Sequence, residues 1–266
     1  MATDPNAALR RQIEKSSRGG GRANPLVTKL SAPVDLSDED REAADSICRD
    51  IREVQARRDI ISDGDRPQFV HVIMEGWAAR YKVVPDGSRQ ITAILVPGDF
   101  CDLHITILGE MDHGITALTR VKVALVPHLV MENLPVDRPQ LGRALWWATL
   151  VDEATLRAWI VNLGRRDAAE RVAHLFCELH ARLKLVGLAD EDDFSLPLTQ
   201  EILADALGLT PVHINRVLQR LRSQDLIELE GGELRILNLP HLRKLAGFDP
   251  TYLHRGRLGR IKDRLS

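Results

Sequence analysis

The chain has 266 residues, of which 44% are hydrophobic and 28% charged, with a formal net charge of −2. That length suits one large domain or two modest ones, and the composition excludes wholesale disorder. Three cysteines, Cys48, Cys101 and Cys177, stand far apart with no CxxC pair, which argues against a disulfide framework, a compact zinc site or an iron–sulfur cluster and suits a reducing cytoplasm. No apolar run approaches the roughly 20 residues that span a bilayer, so no membrane partner is expected.

Residues 1–35 read as a flexible arm carrying Ser16-Ser17-Arg18-Gly19-Gly20-Gly21-Arg22. A basic arm that touches DNA or a partner is the sharper version of that reading. From Leu36 to Arg58 the pattern is helical: Ser37-Asp38-Glu39-Asp40 supplies a cap and an acidic first turn, and Ala43, Ala44, Ile47, Ile51 and Val54 recur at helical spacing. From Asp59 to Pro127 short apolar or alternating runs are punctuated by Asp63-Gly64-Asp65, Glu75-Gly76, Pro85-Asp86-Gly87 and Pro97-Gly98-Asp99. Strands at this spacing predict a compact β-barrel or sandwich.

Leu141–Leu163 returns to a helix in which Trp147, Val151, Ala154, Ala158 and Val161 form a coiled-coil-like seam, read as the dimer interface. A buried core helix is the other reading. Asn162–Arg166 reads as a hinge, and Asp167-Ala168-Ala169-Glu170 as a capping box opening a helix towards Val186. Asp190–Asp193 is expected to be a solvated loop.

The most informative stretch is Thr199–Asp225. Counting Gln200 as the first position of a helix-turn-helix, position five is Ala204, position nine Gly208 and position fifteen Ile214. The first must be small where the second helix crosses, the second must accept positive φ at the turn, and the third anchors the second helix on the first. Thr199 and Thr210 are good N-caps, and Pro211 suits the first helical position. Leu226–Leu229, a Gly231-Gly232 turn and Leu234–Leu237 then predict a wing. The candidate DNA-contacting residues are Thr199, Gln200, Thr210, Val212, His213, Asn215, Arg216, Gln219 and Arg220. Arg216 is the leading base reader, and Arg220 and Arg222 are expected to meet phosphates.

With these motifs in place, the chain resembles the Crp/Fnr family of bacterial transcription regulators. The β segment matches the family's cyclic-nucleotide-binding β-roll at Glu75-Gly76-Trp77, Arg80-Tyr81-Lys82, Asp86-Gly87-Ser88-Arg89-Gln90 and Pro97-Gly98-Asp99-Phe100. The resemblance implies an α+β protein with an N-terminal jelly-roll-like β-roll, a long dimerisation helix and a C-terminal winged helix-turn-helix. The expected division is arm 1–35, β-roll sensor 36–135, dimerisation helix and hinge 136–164, DNA-binding domain 165–248 and basic tail 249–266. It further implies a homodimer on a pseudo-palindromic double-stranded operator, with RNA polymerase as a partner.

The departures concern the signal. The family's Gly-Glu-Leu stretch reads here Phe100-Cys101-Asp102-Leu103, and Ile115 followed by Thr116 stands where the phosphate-pairing arginine is expected. A cyclic phosphate would lose its charge partner, so cyclic AMP is not expected to bind, though Arg80 or Arg89 could compensate. The N-terminal cysteine cluster of the oxygen sensors is missing, so no iron–sulfur cluster is expected either. The effector is left unidentified, its pocket assigned to Arg80, Arg89, Phe100, Cys101, Asp102, Leu103, Ile115 and Thr116. His71, His104, His113 and His128 offer imidazoles for haem or metal, but no metal-ligand set is assigned among them. Asp99 and Asp102 oppose a reactive Cys101 thiolate. No GxSxG, P-loop or HExxH points to an enzyme. The competing class is a ligand-binding or scaffold protein that never touches DNA.

Overall fold

The structure, a computed structural model, describes residues 23–256. The arm reading of residues 1–22 and the tail reading of 257–266 lie outside the described residues. Residues 25–31 overturn the arm reading for their stretch. Pro25–Ser31 form helix α1, whose Asn24 cap accepts from the Leu26 N–H at 2.9 Å. Leu26 and Leu30, one turn apart, are buried, so α1 belongs to the core.

Helix α2, Asp38–Ser46, opens on a capping box between Ser37 and Asp40. The helix predicted to run to Arg58 stops there, and a β segment begins. Its strands are β1 (Ile51–Val54), β2 (Asp59–Ile61), β3 (Phe69–Glu75), β4 (Ala78–Val83), β5 (Arg89–Leu95), β6 (Gly114–Ala117) and β7 (Val121–Pro127). They form two sheets, β1-β7-β3 and β2-β6-β4-β5. β1 corrects the helical reading because Ile51–Val54 pair antiparallel with Val121–Ala124 along their length. An available sheet edge overrode a spacing that also fitted a helix.

The two sheets enclose a core of Val70, Val72, Ile73, Leu95, Ile115, Val121 and Val123. β4 and β5 are apolar on both faces. Ala78 opposite Leu95 turns into this core, and Ala79 opposite Ile94 turns out towards the C-terminal half, as period-two alternation requires. Trp77, Ile91 and Ile94 thereby join Trp159, Val172, Phe176 and Leu203 in a second core. The β-roll and the DNA-binding half share a packed boundary.

Between β5 and β6 lies the short helix α3 (Ile105–Leu108), which was not anticipated. After β7 come α4 (His128–Asp137) and the 27-residue α5 (Pro139–Arg165). The hinge is narrower than predicted. Asn162 and Gly164 are still helical, and the backbone turns extended only at Arg166. Asp167 and Glu170 form the expected capping box of α6, Ala168–Leu185.

The face that α5 presents outward differs from the predicted seam. Trp147 and Ala154 are 5% exposed and packed into their own chain, and Trp147 Nε1 donates to His254 O at 3.1 Å. Val151 and Ala158 are half-buried, and only Val161 of the predicted set is open. The outward apolar positions are Trp146 and Ile160, each 70% exposed, with Leu150, Leu156 and Val161. Small residues decide the orientation. Ala144, Ala148 and Ala154 are buried on the side that meets α1, β5 and the C-terminal turn. Trp146, Leu150 and Leu156, each two positions from one of these alanines, then point out.

The C-terminal half continues with β8 (Asp193–Ser195), α7 (Gln200–Leu207), α8 (Pro211–Ser223), β9 (Ile227–Glu230), β10 (Glu233–Ile236) and α9 (Leu239–Ala246). β8 replaces the last residue of the predicted solvated loop and adds a third strand to the wing, in the order β8-β10-β9. Residues 250–253 form a 3-10 turn with Leu253 buried. Tyr252 donates its hydroxyl to Glu178 Oε2 at 2.7 Å. The first residues of the predicted basic tail are thus part of the core.

Candidate nucleic-acid interface and effector cleft

The helix-turn-helix is built from local rules. Thr199 caps α7 by accepting from the Ile202 N–H at 3.2 Å, and Thr210 caps α8 by accepting from the His213 N–H at 3.2 Å. Between them Gly208 takes φ +61°, ψ +41°, the left-handed conformation that a side chain disfavours. Ala204, Leu203, Leu207, Ile214, Val217, Leu218 and Leu221 are buried between the helices. The wing turns at Gly231-Gly232, both at positive φ, with Glu230 paired to Glu233 across the hairpin.

All nine sequence-predicted contact residues are exposed: Thr199, Gln200, Thr210, Val212, His213, Asn215, Arg216, Gln219 and Arg220. The spacing explains it. Ile214, Val217, Leu218 and Leu221 hold one face of α8 against α7, which leaves the opposite face open. Among the described residues, the side chains of Arg216 and Arg220 have no intramolecular hydrogen bond or ion pair. Arg222 is different. Its guanidinium donates to Leu229 O at 2.9 Å, which ties α8 to the wing.

α7 is also docked on the β-roll. Arg89 donates from Nε and Nη2 to Asp205 Oδ2 at 2.9 and 2.7 Å, and Gln90 Nε2 donates to Asp205 O at 2.8 Å. This removes Arg89 from the predicted effector pocket. Its sequence partner lies 116 residues away, beyond reach of any spacing rule.

The remaining pocket residues fall in two groups around a divided cleft between the β-roll and α5. One part, of about 490 Å³, is lined by Lys29, Arg80, Phe100, Leu103, His104 and Asp152. The other, of about 660 Å³, is lined by Val96, Trp147, Asp152, Trp159, Arg182 and Leu253. Of the predicted pocket residues, Arg80, Phe100 and Leu103 line this cleft. Cys101, Asp102, Ile115 and Thr116 are buried in the wall and do not line it.

The cations at this cleft are already matched. Arg80 donates to Cys101 O at 3.1 Å, to Phe100 O at 2.9 Å and to Asp152 Oδ2 on α5 at 2.5 Å. Lys29 and Arg182 each reach Asp99 at 2.6 Å. Burial alone would raise the Asp99 carboxyl, but Lys29 and Arg182 overcome it and hold it down at about 2. Ile115 stands directly opposite Arg80 on the neighbouring strand, so no second guanidinium supplements Arg80 there. Asp102 is committed as well, accepting from the His71 backbone N–H and pairing with His71 Nδ1, both at 2.7 Å. Arg182 and Asp99 were not singled out as site residues; the Pro97-Gly98-Asp99 turn was the available signal for the latter.

The cysteines are poor redox centres. Burial, then the neighbouring Asp102, pushes the Cys101 thiol well above its usual range. Burial raises Cys48 to about 11 and Cys177 to about 12. Nucleophilic attack requires thiolate, which this burial disfavours.

A β-roll joined through a long helix to a winged helix-turn-helix with an open, basic recognition face defines a DNA-binding transcription regulator. Residues 51–135 match the cyclic nucleotide-binding domain family and residues 170–245 the Crp-like helix-turn-helix domain family. The chain is 31% identical to the transcriptional activator protein FnrL of Cereibacter sphaeroides over 185 residues, covering 68% of this chain and 73% of FnrL. It is 29% identical to the nitrogen fixation regulation protein FixK of Bradyrhizobium diazoefficiens, covering 70% and 78% respectively. The solved structure of FixK2 from Bradyrhizobium japonicum superposes with a TM-score of 0.67 at 26% identity, covering 75% of this chain and 98% of FixK2. The chain belongs to the Crp/Fnr family of transcription regulators. Among the described residues no helix is long and apolar enough to cross a membrane.

Proposed function

We propose that this regulator works in the cytoplasm as a homodimer that reads a pseudo-palindromic operator and acts on RNA polymerase bound nearby. The observation that carries the dimer is the outward stripe Trp146, Leu150 and Ile160 on α5, apolar side chains left 70%, 50% and 70% exposed. A stripe of this kind along a two-fold axis makes a self-complementary contact. It replaces the 147–161 seam, whose bulkiest member is buried in its own chain.

In each subunit α8 enters a major groove, with half-sites about one helical turn apart. Arg216, one turn beyond the exposed Val212, takes the base-reading role, since a guanidinium pairs bidentately with guanine O6 and N7. His213 and Asn215 add base contacts, and Thr210, Gln219 and Arg220 lie along the backbone. Thr199 and Gln200, at the start of α7, contact phosphates.

The sensor is read as one that does not use cyclic AMP. An entering cyclic phosphate would have to displace Asp152 from Arg80 or Asp99 from Lys29 and Arg182, exchanging satisfied ion pairs for new ones. Selection of bound sites from random duplex DNA tests the operator reading. Enrichment of two inverted half-sites spaced by about ten base pairs supports it, and a single unpaired motif or no enrichment overturns it.

A further inference from the structure

Folding brings the side chain of His104 to those of Asp112 and His113, which are neighbours in the sequence. His104 caps α3 without a side-chain hydrogen bond, and the loop after α3 returns through Asp112 to His113 at the edge of β6. The two imidazole rings lie 5.4 Å apart between centroids. One ligating atom from each of His104, Asp112 and His113 falls within 4.8 Å of those of the other two. Among the described residues, the Nε2 atoms of both histidines are buried and have no hydrogen-bond partner. Burying a polar nitrogen unpaired is unfavourable, so two of them turned into one corner require a reason.

We propose that His104, Asp112 and His113 form a binding site for one divalent transition-metal ion, of the zinc, cobalt or nickel type. The donor chemistry fits this class, because imidazole nitrogen suits these metals and two histidines with one carboxylate leave a position for water. His113 Nδ1 lies 2.6 Å from Asp112 Oδ1. To join an ion held on Nε2, the Asp112 carboxylate leaves Nδ1 and turns to the ion.

The geometry asks for a modest closure. Donor atoms around a tetrahedral ion with bonds of about 2.1 Å stand about 3.4 Å apart. Asp112, with an 86% exposed side chain, is free to swing inward, while its backbone carbonyl is held by Lys82 of β4. His104 also lines the cleft that contains Arg80 and Asp152. A bound ion therefore ties the loop after α3 to the wall of that cleft, opposite α5.

The test uses the full chain, stripped with chelator and titrated with Co²⁺ followed by its visible absorption, with Zn²⁺ as competitor. The expected result is saturation at one ion per chain, together with a melting point that rises with the metal. His104→Gln/His113→Gln together should weaken binding at least a hundredfold and abolish the shift, while His241→Gln, at an exposed position of α9, changes neither. Asp112→Asn should weaken binding about tenfold; its exposed side chain makes it safe for folding, and circular dichroism of the metal-free proteins checks this for every variant. The proposal is overturned if no saturable site is found, or if Asp112→Asn and the double variant bind the ion as tightly as wild type.

Discussion

Ile160→Glu isolates the outward face of α5. Burying an isoleucine completely is worth about 1.5–3 kcal/mol, and Ile160 is 70% exposed in one chain. Covering it in a dimer therefore contributes about 1.5 kcal/mol per subunit, or about 3 kcal/mol for the symmetric pair. Each 1.4 kcal/mol is a factor of ten, so losing this term weakens the dimer on the order of a hundredfold, and two carboxylates facing across the axis weaken it further. Sedimentation velocity over a concentration series, with far-UV circular dichroism to confirm folding, should show a folded monomer where wild type is dimeric. Ala154→Glu is the contrasting variant. Ala154 is 5% exposed within its own chain, so a charge there should unfold the subunit rather than merely separate two. Dimerisation of Ile160→Glu at wild-type affinity, or a folded monomer from Ala154→Glu, would refute the assignment of faces and restore the 147–161 seam.

Two further outcomes follow from the cleft. Asp99 has its pKa depressed to about 2, so its contribution is present above the unfolded value near 4 and fades as pH falls towards 2. That contribution is about 2–3 kcal/mol. Urea denaturation should accordingly show Asp99→Asn less stable at pH 7 by about 3 kcal/mol, because two half-buried cations lose their acid, with the gap to wild type narrowing on acidification below pH 4; a constant gap contradicts the ion-pair account. Cyclic AMP at micromolar concentration should leave the melting temperature and the operator affinity unchanged, and a clear upward shift would show that Arg80 exchanges Asp152 for phosphate.

The sequence and the structure agree where local rules decide the outcome. Thr199, Thr210, Gly208 and Pro211 act within a few residues of themselves, and the Asp167–Glu170 box closes across one turn, so each was legible. Two kinds of feature were not. α5 carries apolar residues around most of its circumference, and periodicity cannot tell which of two apolar faces turns outward; the packing of Ala144, Ala148 and Ala154 decided it. Ile47, Ile51 and Val54 fit a helix, but the open edge of β7 drew residues 51–54 into a strand. Long-range partners were equally hidden. Arg89 meets Asp205, Arg80 meets Asp152, and His104 meets His113 only because α3 folds the chain back.

The most direct test of the central claim compares Arg216→Ala with Arg220→Ala. Both side chains are exposed on α8 and, among the described residues, have no intramolecular partner, yet the account gives them different work. Each variant is titrated on the selected operator and on its single-base variants at several salt concentrations. Arg216→Ala should relax preference at one base pair per half-site, with a loss of about 1–3 kcal/mol on the operator. Arg220→Ala should weaken all sequences alike and reduce the salt slope by about one unit per lost phosphate contact. Uniform weakening by Arg216→Ala with altered base preference from Arg220→Ala would reverse the two roles, and wild-type binding by both would contradict the identification of α8 as the recognition helix.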